Sequence, residues 1–146
     1  NLYGPGDNFD LQSSHVLPAL LRKTHEAKQA GADDIVIWGT GEPRREFLHV
    51  DDLADACLFL MKEYSDDGHV NVGFGEDVTI RELAEIVKDV VGFEGSIVAD
   101  TSKPDGTPRK LMDSGRLMEM GWRPRTPLNQ GIANVYRWFL DNVPHA

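Results

Sequence analysis

The β-branched runs of this chain, "DIVIWG", "EFLHV", "HVNVGFG" and "SIVAD", are too short and too widely spaced to build a large sheet alone. That feature narrows the fold to a small mixed α/β arrangement whose strands extend a sheet or pack beside another domain. Helices fill the spaces between them. No internal repeat, low-complexity segment or linker divides the sequence, so residues 1–146 read as one domain.

Periodicity and punctuation place the helices. From Val16 the apolar residues Leu17, Leu20, Leu21 and Ala27 recur at helical spacing. Ser13 or Ser14 is the expected N-cap, Pro18 fits only the first turn, and Gly31 is the expected stop. Asp51 or Asp52 is the expected cap of a second helix with an apolar stripe of Leu53, Cys57, Leu60 and Met61, which makes Cys57 a core residue. "TIRELAEIVKDVVG" carries the clearest pattern: Thr79 and Glu82 have capping-box spacing, and Ile80, Leu83, Ala84, Val87 and Val91 share one face. "DSGRLMEMG" predicts a short helix closed by Gly121. Thr126 as cap and Pro127 at the first helical position predict a last helix burying Leu128, Ile132, Val135 and Phe139. Residues 1–14, rich in Gly, Pro, Asn, Asp and Ser, read as a loop after a strand end at Asn1 to Tyr3.

Charge limits the class of partner. With 24 Asp and Glu against 15 Lys and Arg, a formal net charge of -9 argues against nucleic acid, whose phosphates need broad basic surface. The longest apolar runs are only a few residues, too short to span a membrane. A single cysteine permits no internal disulfide and points to a cytoplasmic protein. His15, His25, His49, His69 and His145 share no metal-ligand spacing, so no metal is expected. The opening "NLYGPGDNF" has neither an initiator Met nor the pattern of a secretory signal, and suggests a piece of something longer.

Against this acidic background "SKPDGTPRKLMD" gathers Lys103, Arg109 and Lys110 around a Pro-Asp-Gly turn. In "WGTGEPRREFLHVDD" two glycines and a proline predict a tight hairpin-like turn from which Arg44 and Arg45 project. An arginine held on a strand end can meet a phosphate with two parallel hydrogen bonds, or simply remain solvated. Trp38 is placed to stack on a base or sugar, or to join the core. Arg44 or Arg45, the Lys103 to Lys110 loop and the pair Arg22 and Lys23 together outline a phosphate-binding surface. His15, at a loop-to-helix junction, suits either proton transfer near neutral pH or a plain surface role. "VNVGFGEDVTIRELAEIV" imitates a dinucleotide fingerprint, but Val78 stands where the third glycine belongs, so it reads as a strand-to-helix turn.

Taken in order, "NLYGPGDNF", "SSHVLPALLRK", "WGTGEPRREFLHVDDLADA", "VNVGFGEDVTIRELAEIV" and "SKPDGTPRKLMD" resemble the C-terminal portion of the GDP-L-fucose synthases. These are NADPH-dependent sugar-nucleotide epimerase/reductases of the extended short-chain dehydrogenase family. "NLYGP" and "REFLHVDD" resemble the extended family broadly, whereas "SSHVLPALLRK" and "KPDGTPRKLMD" resemble the fucose synthases in particular. The resemblance implies a small substrate-binding domain over residues 1–146 that packs on an N-terminal Rossmann domain absent from this chain. It also implies a homodimeric enzyme that epimerises C3 and C5 of GDP-4-keto-6-deoxy-D-mannose and reduces C4 with NADPH, the cofactor bound mainly by the missing domain.

By the same resemblance His15 is the catalytic acid and lies beside the cofactor. Lys23, Trp38, Arg45, Asp105 and Lys110 contact the GDP-sugar, and Asn1 and Leu2 line the nicotinamide pocket. The family often has Arg at the position of Lys23, so a single-point contact replaces a fork here. The family's Gly-rich cofactor loop, catalytic Ser, Tyr-x-x-x-Lys pair and partner Cys have no counterpart: Tyr3, Tyr64 and Tyr136 are not followed four residues later by Lys. The fragment alone is therefore expected to be inactive. A related 4-epimerase or dehydratase, or a binding module without chemistry, are the alternatives.

Overall fold

The computed structural model describes residues 1–143, so His145 lies outside the described residues. Its elements are β1 (Leu2–Tyr3), α1 (Val16–Ala30), β2 (Asp34–Trp38), β3 (Arg44–Glu46), β4 (Leu48–His49), α2 (Val50–Glu63), β5 (Asp77–Thr79), α3 (Ile80–Val91), β6 (Ser96–Asp100), β7 (Arg109–Lys110), α4 (Gly115–Glu119) and α5 (Leu128–Asn142). The strands form three small sheets, with β1 beside β4, β2 beside β6, and β3 between β5 and β7. The fold is the small mixed α/β arrangement that the short strands predict.

Two of the expected strands differ. "EFLHV" breaks at Phe47 into β3 and β4, which pair with different partners, because Phe47 turns into the main core. "HVNVGFG" forms no strand among the described residues; Val70 and Val72 pack beside α2 and α4, but no ladder partner lies alongside. Nor is the turn at Gly39 and Gly41 a hairpin, since β2 pairs in parallel with β6 while β3 pairs with β5 and β7.

The larger core is built by α1, α3 and α5, whose apolar faces meet over β2. In α3 the period is obeyed: Leu83, Ala84, Val87 and Val91 are buried, Thr79 and Glu82 form a reciprocal capping box, and Gly92 ends the helix at φ 70°. That cap is worth about 1 kcal/mol by the usual cost of removing one. Gly31 closes α1 in the same left-handed conformation, φ 63°.

The N-termini of the other helices are set differently from the expectation. His15, not Ser13 or Ser14, holds the N-cap position of α1 and makes no side-chain cap. Ser13 is occupied in the preceding loop, where its hydroxyl donates to Asp10 and accepts from Asn8. Pro127 takes the N-cap position of α5, one residue later than Thr126. The segment that leads into α5 is tethered from a distance: the buried Asp52 carboxylate accepts from the backbone N–H of Arg125 (3.2 Å) and Thr126 (3.0 Å).

That tether goes with a rotation of α2. Its cap is His49, whose ring accepts from the Asp51 N–H, and its buried residues are Asp52 and Ala56. The expected stripe is therefore turned by about one residue, or 100°. Leu53 and Leu60 still pack on the smaller core of Leu48, Ala56, Leu117 and Trp122, but Cys57 is exposed and Met61 is 81% exposed. Cys57 is not a core residue of this chain.

Candidate functional site

Between the start of α1, the end of β2 and the loop after β6 lies a cleft of about 380 Å³. Lys23, Trp38, Arg45 and Asp105 all line it, together with Leu11, Gln12 and Ser14. Four of the expected substrate contacts, spread over 83 positions of sequence, thus meet in one place. His15 is exposed and lies between two lining residues, Ser14 and Val16, so the start of α1 sets it at the edge of the cleft.

Each lining residue is held by its element. Trp38 ends β2 and is 67% exposed, with the Lys103 ammonium 5.6 Å from its ring centroid. It is a surface platform rather than a core residue. Asp105 accepts from the Thr40 N–H at 2.6 Å and from the Thr40 hydroxyl, which pins the Pro-Asp-Gly turn to the loop after β2. Gly39, at φ 73°, makes this approach possible, because a Cβ there would stand 2.1 Å from the Asp105 carboxylate. Arg45 donates to the Arg44 carbonyl, and its Nη2 atom faces Gly106 in the same turn. Lys23 reaches across to the Val36 carbonyl at 2.8 Å, and burial lowers its pKa.

The strand register sorts the cations. β3 and β7 run parallel with Arg44 opposite Arg109 and Arg45 opposite Lys110. Side chains alternate across a strand, so the first pair shares one face and the second pair the other. On the first face Asp77 of β5 bonds both arginines, at 2.7 Å to Arg44 Nε and 2.5 Å to Arg109 Nε. Hydrogen bonds from Arg109 and then Arg44 hold its carboxyl below the usual range. Arg44 also lies 3.7 Å from Glu82. Among the described residues neither Arg45 nor Lys110 has a carboxylate within ion-pair distance.

Of the basic residues expected to form a phosphate surface, Arg44, Arg109 and Arg22 are thus already paired, the last with Glu26 at 2.6 Å. Arg45 and Lys110 remain available. Lys110 is exposed and stands beside the cleft as the register partner of Arg45, not among its lining residues. Asn1 and Leu2 lie elsewhere on the same framework: Asn1 donates to the Glu46 carbonyl at 2.9 Å, and Leu2 is 49% exposed opposite Leu48.

Sequence reasoning missed three features. Asp77 was legible only as part of a turn. Ser14, read as a cap, is a lining residue of the cleft, and its hydroxyl is buried with no hydrogen-bond partner among the described residues. Glu46, 2% exposed, puts its carboxylate on the N–H of Gly75 (2.7 Å) and of Met112 (3.3 Å). That explains the glycines of the dinucleotide-like segment. A Cβ at Gly73 would stand 2.5 Å from Glu46 Oε1 and 2.7 Å from the Ser114 hydroxyl. The turn therefore encloses the protein's own carboxylate, which would repel a phosphate.

In sequence and fold the chain is similar to known proteins. The probable GDP-L-fucose synthase 1 of Oryza sativa subsp. japonica is 64% identical over 143 residues, covering 98% of this chain and 44% of that protein. The GDP-L-fucose synthase of Escherichia coli strain K12 is 52% identical, covering 97% of this chain and 47% of that protein. A gdp-l-fucose synthetase from Naegleria fowleri, solved bound to NADP, superposes with a TM-score of 0.90 at 36% identity over 97% of this chain and 45% of that one. The chain thus spans less than half the length of the relatives it matches. The profile of the NAD dependent epimerase/dehydratase family matches residues 1–73, half of the sequence, which take in the β1 to α2 framework and the first wall of the cleft. On that match, and on a fold shared almost from end to end, the chain belongs to the NAD dependent epimerase/dehydratase family.

Proposed function

We propose that this chain is the substrate-binding portion of a GDP-L-fucose synthase, a cytoplasmic homodimer that converts GDP-4-keto-6-deoxy-D-mannose to GDP-L-fucose. The observation that carries the reading is the cleft itself, which gathers Lys23, Trp38, Arg45 and Asp105 where a nucleoside diphosphate sugar needs a stacking platform beside fixed cations. The relatives named above, synthases of that product, support it.

In this mechanism Trp38 offers its exposed face to the base or sugar, and Arg45 with Lys110 takes the diphosphate. Asp105 fixes the loop through Thr40, so little side-chain freedom is lost on binding. His15, at the mouth, delivers a proton to the ring carbon that has lost one beside the ketone, inverting it.

NADPH, when bound, supplies the hydride that reduces C4. This chain fits only one end of that cofactor. Leu2 offers half-exposed apolar surface to the nicotinamide, and the family resemblance assigns Asn1 and His15 to the same end. The glycine turn that imitates a dinucleotide site is filled by Glu46 and leaves no seat for the cofactor's pyrophosphate, which on this reading is held by a nucleotide domain of the whole protein. The chain by itself is inactive on this reading.

The test uses the full-length protein. His15→Gln should suppress inversion at C3 and C5 about 100-fold or more while GDP-sugar binding persists. Equal binding of GDP and UDP sugars, or undiminished epimerisation by the variant, would overturn the assignment.

A further inference from the structure

We propose that Asp77 is a positioning residue for diphosphate binding: by clamping Arg44 and Arg109 on one face of the β3 and β7 pair, it holds Arg45 and Lys110 together on the other. This inference rests on the functional reading above, and deepens it by naming what keeps the cation pair assembled.

The physical problem is repulsion. Like charges directly opposite each other on neighbouring strands destabilise the pairing, and β3 and β7 carry two such pairs, Arg44 with Arg109 and Arg45 with Lys110. β7 is only two residues long, and every residue from 101 to 113 is exposed, so apolar burial contributes little to holding it. Polar anchors must do so. The Arg44 N–H donates to the Pro108 carbonyl at 2.8 Å, and Asp105 ties the turn to Thr40. Among the described residues only Asp77 answers the charge on both strands, since Glu82 stands near Arg44 alone.

Its side chain is 4% exposed and touches a guanidinium on each strand, so one carboxylate converts the first repulsive pair into a bridge. Because β5 is antiparallel to β3, with Asp77 opposite Glu46, that carboxylate sits on the face away from Arg45. The second pair is left without a counterion. It is thereby the face where an added diphosphate gains most, since binding both cations relieves their repulsion. Without the clamp, the empty cleft would spread Arg45 and Lys110 apart, and a ligand would have to draw β7 back before using both.

Titration calorimetry on the full-length protein reads this directly, with GDP and GMP as probes. Asp77→Asn is expected to weaken GDP binding about 10-fold, while GMP, which lacks the second phosphate, weakens by less than about 2-fold. Arg109→Gln should give the same pattern in milder form, because it removes the bridge and the repulsion together, and adding it to Asp77→Asn should return part of the lost affinity. Asp77→Glu, which keeps the charge, should recover most of the GDP affinity. Equal losses for GDP and GMP would reduce Asp77 to a plain structural residue, and unchanged GDP binding in Asp77→Asn would overturn the proposal outright. Should Asp77→Asn not fold, Arg109→Gln carries the same comparison from a residue with a side chain 59% exposed. If the unaltered protein fails to bind GDP at all, the functional reading falls and takes this one with it.

Discussion

Around α1, α3 and α5, sixteen buried apolar residues form one continuous core among the described residues, whereas α2 and α4 meet over four: Leu48, Ala56, Leu117 and Trp122. The larger cluster is held by area removed from water. The smaller one stands beside polar work: Asp52 tethers the segment before α5, His49 caps α2, and the Trp122 indole N–H donates to Asp55 at 2.9 Å. Where apolar contacts dominate, a helix turns its most hydrophobic face inward. Where a buried carboxylate must reach two backbone N–H groups, the helix turns to serve them, and apolar side chains can be left outside.

Three substitutions break or sharpen this contrast. The largest loss belongs to the larger core: Leu83→Ala should cost about 3 kcal/mol in urea unfolding of the chain, since Leu83 is fully buried between well-packed helices. Asp52→Ala should cost about 2 kcal/mol, because it leaves the Arg125 and Thr126 N–H groups without an acceptor. A cost below about 0.5 kcal/mol there would mean that the smaller cluster is apolar-driven after all. Met61→Ser should change the stability of residues 1–146 by less than about 0.5 kcal/mol, as befits a side chain 81% exposed. A loss of the size seen at Leu83 would restore the rejected stripe.

The same contrast explains what could be read beforehand. Helix α3 was legible to its caps because Thr79, Glu82 and Gly92 act within a few residues of one another. Helix α2 was legible in extent but not in orientation, because the partner of Asp52 lies 73 positions away. In the cleft, residue types and the family resemblance picked out Lys23, Trp38, Arg45 and Asp105. They could not separate Arg45 from Arg44. That distinction depends on the strand register, and on Asp77 reaching one face only. Nor could they foresee that Glu46 fills the glycine turn, since no local spacing links it to Gly75.

Lys23 leaves one further mark on this molecule. Its ammonium plugs a main-chain oxygen at the open rim of β2, guarding an edge that would otherwise invite another strand. An ammonium has three donors, so an anion in the cleft can engage Lys23 while the bond to Val36 holds, and the same contact that guards the rim keeps the cation in place.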